Sequence, residues 1–270
     1  MNVSERYHFL DAARAFLLLL GLPYHAGLIY AHIPRWFVLS PERSDVLTLL
    51  CALINSFRMP AFFIVAGFFS ALVLKRRSRA EWLKGRWLRL GVPFLAGMLL
   101  IGPVQLLLLL HLTAKTADPF GDWLAAVQTP AGHRIGHLWF LPPLILLSTL
   151  TALIWPRLRP LSAGGVSQSR IWLGAGIIAL WQVGLLLTDR LLPMSFAGGI
   201  LSVERMLFFA PYFAIGAALP LHAGLRDRVL RFDAGFTVAA VAGSALFAAT
   251  WFSADPRLQI LNTIGGVFAD

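Results

Sequence analysis

A chain of 270 residues that is 58% hydrophobic and only 13% charged, with a mean hydropathy of +0.72, carries about half the ~25% charge usual in a soluble domain. It cannot clothe itself in water with so few polar groups, so the composition excludes a soluble globular domain and points to a membrane protein. The net charge of +10 falls in short basic runs between apolar stretches, which is the pattern of orientation signals at a bilayer and excludes nucleic acid as a partner.

A span needs about 20 mainly apolar residues. That rule places spans near 11–31, 47–74, 90–112, 137–155, 171–188, 206–222 and 234–252. The second is too long for one straight crossing, so it tilts or its ends leave the hydrocarbon. An eighth apolar stretch starts near Leu258 and stops at Asp270, too short to cross. The N-terminal apolar run has no clean cleavage site after it and reads as a retained span, not a signal peptide. The expected fold is all-α: a polytopic transmembrane helix bundle of seven to eight spans, forming one domain over 1–270. The lone cysteine, Cys51, allows no intramolecular disulfide and no thiolate zinc site, and no other metal motif is present.

The linkers alternate in charge. Lys75, Arg76, Arg77, Arg79, Lys84, Arg86 and Arg89 lie between the second and third spans, and Arg157, Arg159, Arg170, Arg226, Arg228 and Arg231 lie in the linkers of the same parity. The opposite linkers hold only Arg35, Arg43, Lys115, Arg134, Arg190 and Arg205. The positive-inside rule therefore puts the N-terminus and the 75–89 linker in the cytoplasm. The outer linker 113–136, with Pro119, Gly121, Pro130 and Gly132, reads as an ordered loop or a short re-entrant element, and 160–169 as a flexible joint. Small residues such as Gly174 and Gly176, or Gly216 to Ala218, suit close helix contact.

Ionisable groups within a span are costly and are functional candidates by default. In the first span Arg14 and His25 are eleven residues apart, about 20° beyond three full turns, so an unbroken helix sets both on one face roughly 16 Å apart. Asp11, three residues before Arg14, is placed to pair with it. Pro23 should kink the helix before His25 and free a carbonyl. Spacing alone leaves two readings open: a face lining a passage, or an arginine that snorkels to headgroups beside a histidine making one interhelical hydrogen bond. Arg58 lies well inside the second span and needs a carboxylate, carbonyls or a wet cavity. Arg86 and Arg89 share a helix face at the cytoplasmic boundary, either as a phosphate-binding fork or as orientation charge. His137 and Trp139 stand where the outer loop re-enters the membrane, as sugar contacts or as interfacial aromatic-belt residues.

These four pieces, in this order, resemble the membrane-bound acyltransferase 3 family. Its pattern has an arginine and a histidine separated by ten residues in the first span, met by Arg14 and His25, and an arginine pair after the second, met by Arg86 and Arg89. The strings RYHFLDAARAFLLLLGLPYHAGLIYA, NSFRMPAFFIVAGFFS and GHLWFLPPLILLS look more narrowly like a branch that adds succinyl groups to periplasmic glucans. The likeness runs from about Arg6 to the end and is strongest over 6–143. It implies an O-acyltransferase of the bacterial inner membrane. The donor would be cytoplasmic succinyl-CoA or acetyl-CoA, a co-substrate and not a permanently bound cofactor. The acceptor would be a glucan or related glycan, with other glucan-biosynthesis proteins as possible partners beside the lipid bilayer. It assigns His25 as base or covalent carrier, Arg14 to the donor with Asp11 steadying it, and Arg86 and Arg89 to the donor's nucleotide end. Arg58, His137 and Trp139 go to acceptor contact, and Arg58 also suits the free carboxylate of a succinyl group. The family usually has more spans, so the last ones are expected to be missing. A transporter or flippase without acyl chemistry, or an inactive fragment, is the rival; a transporter would want inverted repeats and an ionisable path across the bilayer, and neither is visible.

Overall fold

The computed structural model describes residues 8–33, 38–113, 118–128, 136–158, 166–191, 195–196, 200–229, 231 and 233–250. The chain forms α1 (His8–Leu19), α2 (Gly21–Gly27), α3 (Asp45–Leu74) and α4 (Arg79–Ala96), which runs through a π-helical turn (Gly97–Ile101) into α5 (Gly102–Thr113). There follow α6 (Pro119–Val127), a 3-10 turn (Gly136–Phe140), α7 (Leu141–Leu158) and α8 (Gln168–Leu191). After a two-residue antiparallel pair, β1 (Ser195–Phe196) and β2 (Leu201–Ser202) with Ser195 opposite Ser202, come α9 (Val203–Ala218), α10 (Ala223–Val229) and α11 (Ala234–Thr250).

Among the described residues, three helices are long and apolar enough to cross a membrane: Asp45–Leu74, Arg79–Leu112 and Gly136–Leu158. A fourth is added if α9 and α10 count as one bent span. The expected first, fifth and seventh spans fall on α1 and α2, on the 24-residue α8 and on the 17-residue α11, which are helical but are not among the helices long and apolar enough to cross. The stretch from Leu258 to Asp270, and most of the expected joint at 160–169, lie outside the described residues.

Local chemistry explains most boundaries. Proline has no N–H, so Pro23 cannot close a bond to Leu19, and the helix is interrupted at Leu20 between α1 and α2. The interruption thus falls one turn ahead of the proline. The basic run read as a linker is mostly helix: α4 starts at Arg79, because Ser78 caps it by accepting a hydrogen bond from the Glu81 N–H at 3.3 Å. In the connection after α5, α6 starts in the same way, with the Gly121 N–H donating to Asp118 Oδ1 at 2.9 Å and Pro119 in the first turn. The Trp123 Nε1–H then donates to the Pro103 carbonyl at 2.8 Å, tying α6 to α5.

The chain divides into two compact units. The first comprises 1–66, 165–183 and 224–270, and the second 67–164 and 184–223. In the first, Tyr24, Leu28, Ala31 and Cys51 form a buried cluster with Ile33 and Ile54 against it. In the same unit, Trp172 of α8 stacks on Phe236 of α11 with centroids 4.4 Å apart. In the second, Ala71, Leu74, Trp82, Ala152, Trp155 and Ala217 form one core, and Phe94 and Leu141 centre another. The close helix contact of this unit is at Gly67, where an added Cβ would overlap the Phe213 carbonyl and come within 2.9 Å of the Ala217 nitrogen. Gly174 and Gly176, expected to serve as contact points, face open space. Gly216 and Ala217 are buried.

Candidate active site

The first unit gathers one group of polar side chains inside otherwise apolar helices. Tyr24 and His25 are neighbours on α2, and their rings meet edge-on with centroids 4.9 Å apart. The His25 ring is half-buried, and its Nδ1 is shut off from solvent. Tyr24 is buried, and its hydroxyl donates to Asn55 Oδ1 on α3 at 3.0 Å. One helical turn further along α3, the Arg58 guanidinium lies over the Tyr24 ring, 5.0 Å from its centroid. A cation over an aromatic face is worth ~0.5–2 kcal/mol, rising with desolvation. Glycine at 21 makes room for this: a Cβ there would come within 3.1 Å of Arg58 Nη1. Gly27 likewise lets Cys51 approach, with a Cβ at 27 only 2.7 Å from Sγ. The Cys51 thiol donates to the Tyr24 carbonyl at 3.5 Å. So α2 is clamped to α3 through Tyr24, and the clamp sets where His25 stands.

Arg14 and Asp11 do not join this group. Both are exposed on α1, and among the described residues they form no ion pair with each other. An exposed pair at that helical spacing is worth only ~0.2–0.5 kcal/mol, which is too little to hold two side chains together. Arg14 lies on α1 and His25 on α2; between them Leu20 keeps α-helical backbone angles, its N–H donating to the Phe16 carbonyl at 2.9 Å and its carbonyl accepting from the Tyr24 N–H at 3.2 Å.

The second unit holds the other candidates. Arg86 turns inward from α4, and its Nε–H donates to Ser148 Oγ on α7 at 3.1 Å. Ser148 is wholly buried. The same guanidinium lies 6.0 Å from the ring centroid of Trp82, one turn back on α4. Arg89 is exposed. The arginine pair therefore divides: one member is anchored, and the other is presented to its surroundings. In the 3-10 turn His137 is exposed and Trp139 half-buried. The Trp139 ring lies 5.2 Å from the Arg205 guanidinium and 5.6 Å from the Phe209 ring, two side chains one turn apart on α9. Among the described residues no three or more His, Cys, Asp or Glu side chains are grouped to hold a metal ion.

Sequence reasoning missed Tyr24, Asn55, Ser148 and Arg205. Two of these had a readable signal. Tyr24 adjoins His25, and Asn55 precedes Arg58 by one helical turn, so it shares that residue's face. A serine in an apolar helix and an arginine that reads as linker charge but lies in the first turn of α9 carried none.

Residues 7–268 match the family described as Acyltransferase domain. The chain is 32% identical over 249 residues to Glucans biosynthesis protein C of Salmonella heidelberg (strain SL476), and equally to those of Salmonella typhi and Salmonella typhimurium. Each alignment covers 88% of this chain and 64% of the relative, so the chain spans about two thirds of the length of the curated relatives it matches. No solved structure matches it. With nearly its whole length in register with that family, the chain belongs to the membrane-associated acyltransferase 3 family.

Proposed function

We propose that the protein transfers an acyl group from cytoplasmic acyl-CoA to hydroxyls of a periplasmic glucan or related glycan. It would do so in the bacterial inner membrane, with seven to eight spans and its N-terminus in the cytoplasm. The observation that carries this reading is the clamp of Tyr24, Asn55 and Arg58 around His25, in a chain of an acyltransferase family. The similarity to Glucans biosynthesis protein C supports a glucan as acceptor. The alternation of basic linkers supports the orientation.

Acyl transfer to a hydroxyl needs a group that takes the hydroxyl's proton or carries the acyl unit, and positive charge near the carbonyl oxygen. His25 fills the first role. Its ring is half-buried with a shielded Nδ1, and it takes either role only through a nitrogen lone pair. Arg14 acts on the donor, with Asp11 near it on α1. In the second unit Arg86 and Arg89 receive the nucleotide end of acyl-CoA, where guanidinium forks match phosphate oxygens. His137 and Trp139 contact the acceptor. No cofactor is held permanently; acyl-CoA is consumed. Other glucan-biosynthesis proteins are candidate partners.

The test is incubation of membranes with labelled acyl-CoA and glucan. Label on the glucan is expected with the unaltered protein and is lost in His25→Ala, with expression and membrane insertion unchanged. Normal labelling by His25→Ala would remove the histidine from the mechanism. Label retained on the denatured protein, and absent from the variant, marks His25 as a carrier instead of a base. Mass spectrometry of periplasmic glucans from cells with and without the protein identifies the group transferred.

A further inference from the structure

The second unit brings polar side chains from three elements to one place. Trp139, in the 3-10 turn before α7, is half-buried, with the Phe140 ring 6.4 Å away and the buried Phe209 ring 5.6 Å away. Arg205, in the first turn of α9, is exposed, and its guanidinium carbon is 5.2 Å from the Trp139 centroid. None of the ion pairs among the described residues includes it. Gly136 stands one 3-10 turn before Trp139, and side chains three apart in such a turn eclipse. Gly136 has no side chain, and a Cβ built there would lie 4.0 Å from Oε1 of Gln105 on α5. Gln105 is exposed, and the leucines Leu106 to Leu110 follow it. The group sits at one end of the unit. At the other end of α9, Lys75 of the basic run donates to the Pro220 carbonyl. From Arg205 to the helix end at Ala218 the rise is ~20 Å. On the orientation proposed above, Trp139 and Arg205 are at the outer end, on the acceptor's side.

We infer that Arg205 and Gln105, together with Trp139, form the subsite that holds one sugar ring of the glycan acceptor. This rests on the acyl-transfer reading above. A sugar ring presents an apolar face and a rim of hydroxyls that both donate and accept. Trp139 offers apolar ring surface, and it draws the guanidinium to its side. Arg205 offers a planar fork of donors to the oxygens of neighbouring hydroxyls. The Gln105 amide offers a donor and an acceptor on one group. An apolar platform with a few convergent polar groups is the general form of a small-ligand site. A tryptophan beside an arginine also suits a lipid headgroup at a bilayer surface. Two observations favour the sugar. Trp139 packs against the buried Phe209 of α9 instead of standing at a rim. Gln105 adds a neutral group that accepts as well as donates, which hydroxyls call for and a phosphate, an acceptor only, does not.

The experiment uses the full chain in lipid nanodiscs, with labelled acyl-CoA as donor. The acceptor is glucan purified from the periplasm of cells that lack the protein. Kinetics give the KM of each substrate, and calorimetry gives glucan binding in the absence of donor. Arg205→Ala should raise the glucan KM about tenfold and weaken glucan binding by the same factor, the loss of one charge-assisted contact. The KM for acyl-CoA should stay where it was. Gln105→Leu, an apolar residue in an apolar helix, should raise the glucan KM by less, about three- to fivefold, since a neutral hydrogen bond contributes less than a charged one. Arg205→Lys should recover part of the loss, because an ammonium donates without the fork. Thermal melts check that each variant is folded. Equal rises in both KM values, or glucan KM and binding unmoved in both variants, overturn the subsite and leave acyl transfer standing. A melt that follows the phosphatidylglycerol content of the nanodisc in the unaltered protein but not in Arg205→Ala, with glucan binding unchanged, overturns it in favour of a lipid headgroup. Glucan bound by the unaltered protein but never acylated would keep the subsite and remove the acyl-transfer reading.

Discussion

Arg86 on α4 donates its Nε–H to the wholly buried Ser148 hydroxyl on α7 at 3.1 Å, while Arg89, one turn further along α4, faces outward. Two arginines that look equivalent in sequence therefore hold different positions. The first contributes to the contact between two helices of the second unit. The second makes no ion pair among the described residues.

That division separates their mutational effects. Arg89→Ala should raise the KM for acyl-CoA about tenfold, the loss of one charge-assisted phosphate contact, without moving the thermal midpoint. Arg86→Ala should lower the midpoint as well. It removes the partner of a buried hydroxyl, at about 1–3 kcal/mol, and strips the guanidinium from the Trp82 ring. Steady-state kinetics and detergent melts on the two variants check this. Equal melts for both would show that the Ser148 contact contributes nothing.

Pro23 offers a second test. The break at Leu20 follows from its missing N–H, and it falls just ahead of Tyr24 and His25 on α2. Pro23→Ala should let position 23 donate to the Leu19 carbonyl and join α1 to α2. The helix should gain stability, since proline in a helix interior costs about 3 kcal/mol relative to alanine. Transfer should nevertheless fall at least about tenfold, because a small misplacement of a reacting group is enough for that. Activity kept together with higher stability would mean that the break plays no part in placing His25.

How far the sequence could be read is clear from particular residues. Apolar runs longer than about 20 residues locate the membrane helices, because lipid leaves little other choice. Arg58 stands out because nothing in an apolar run hides a guanidinium. The start of α4 was legible in Ser78 and Glu81, a serine followed by glutamate three residues on, but the basic run around them reads more strongly as a linker. Tertiary neighbours were not legible. Gly67, Gly174 and Gly176 look alike as small residues in apolar helices, yet only Gly67 meets another backbone. Nothing local to Ser148 says that an arginine 62 residues away will reach it.

The glycines give a third prediction, built on that contrast. Gly67→Ala should destabilise the protein by about 1–3 kcal/mol, as overpacking does, because its new methyl group would meet the Phe213 carbonyl, and backbone cannot swing away as a side chain can. Gly174→Ala meets nothing within 4 Å. It should be neutral or stabilising by up to about 1 kcal/mol through helix propensity alone. Thermal unfolding of both variants in the same detergent decides it, and the order of their midpoints is the outcome to read.

Asp233 concentrates three interactions on one carboxylate. Its Oδ1 accepts the Phe236 N–H at 3.1 Å and so caps α11, while Oδ2 accepts from Arg228 at 3.1 Å and from Gln168 Nε2 at 3.0 Å. The cap holds the start of α11, and the other two bonds tie it to α10 and α8. The Arg228–Asp233 pair is about three-quarters buried, with side-chain exposures of 26% and 24%, so solvent screens it less than an exposed pair. Asp233→Ala removes the cap, worth about 0.5–2 kcal/mol, and leaves Arg228 and Gln168 without their acceptor, so its cost should exceed that of a cap alone. Asp233→Asn keeps an oxygen for the cap but drops the charge, and should fall between the two. Arg228→Ala removes only the ion pair, and the double variant with Asp233→Ala should cost less than the sum of the singles, since both delete the same bond. Limited proteolysis near 231 and thermal melts report on this. Strict additivity would mean that the ion pair contributes nothing and that Asp233 acts through the cap and Gln168 only.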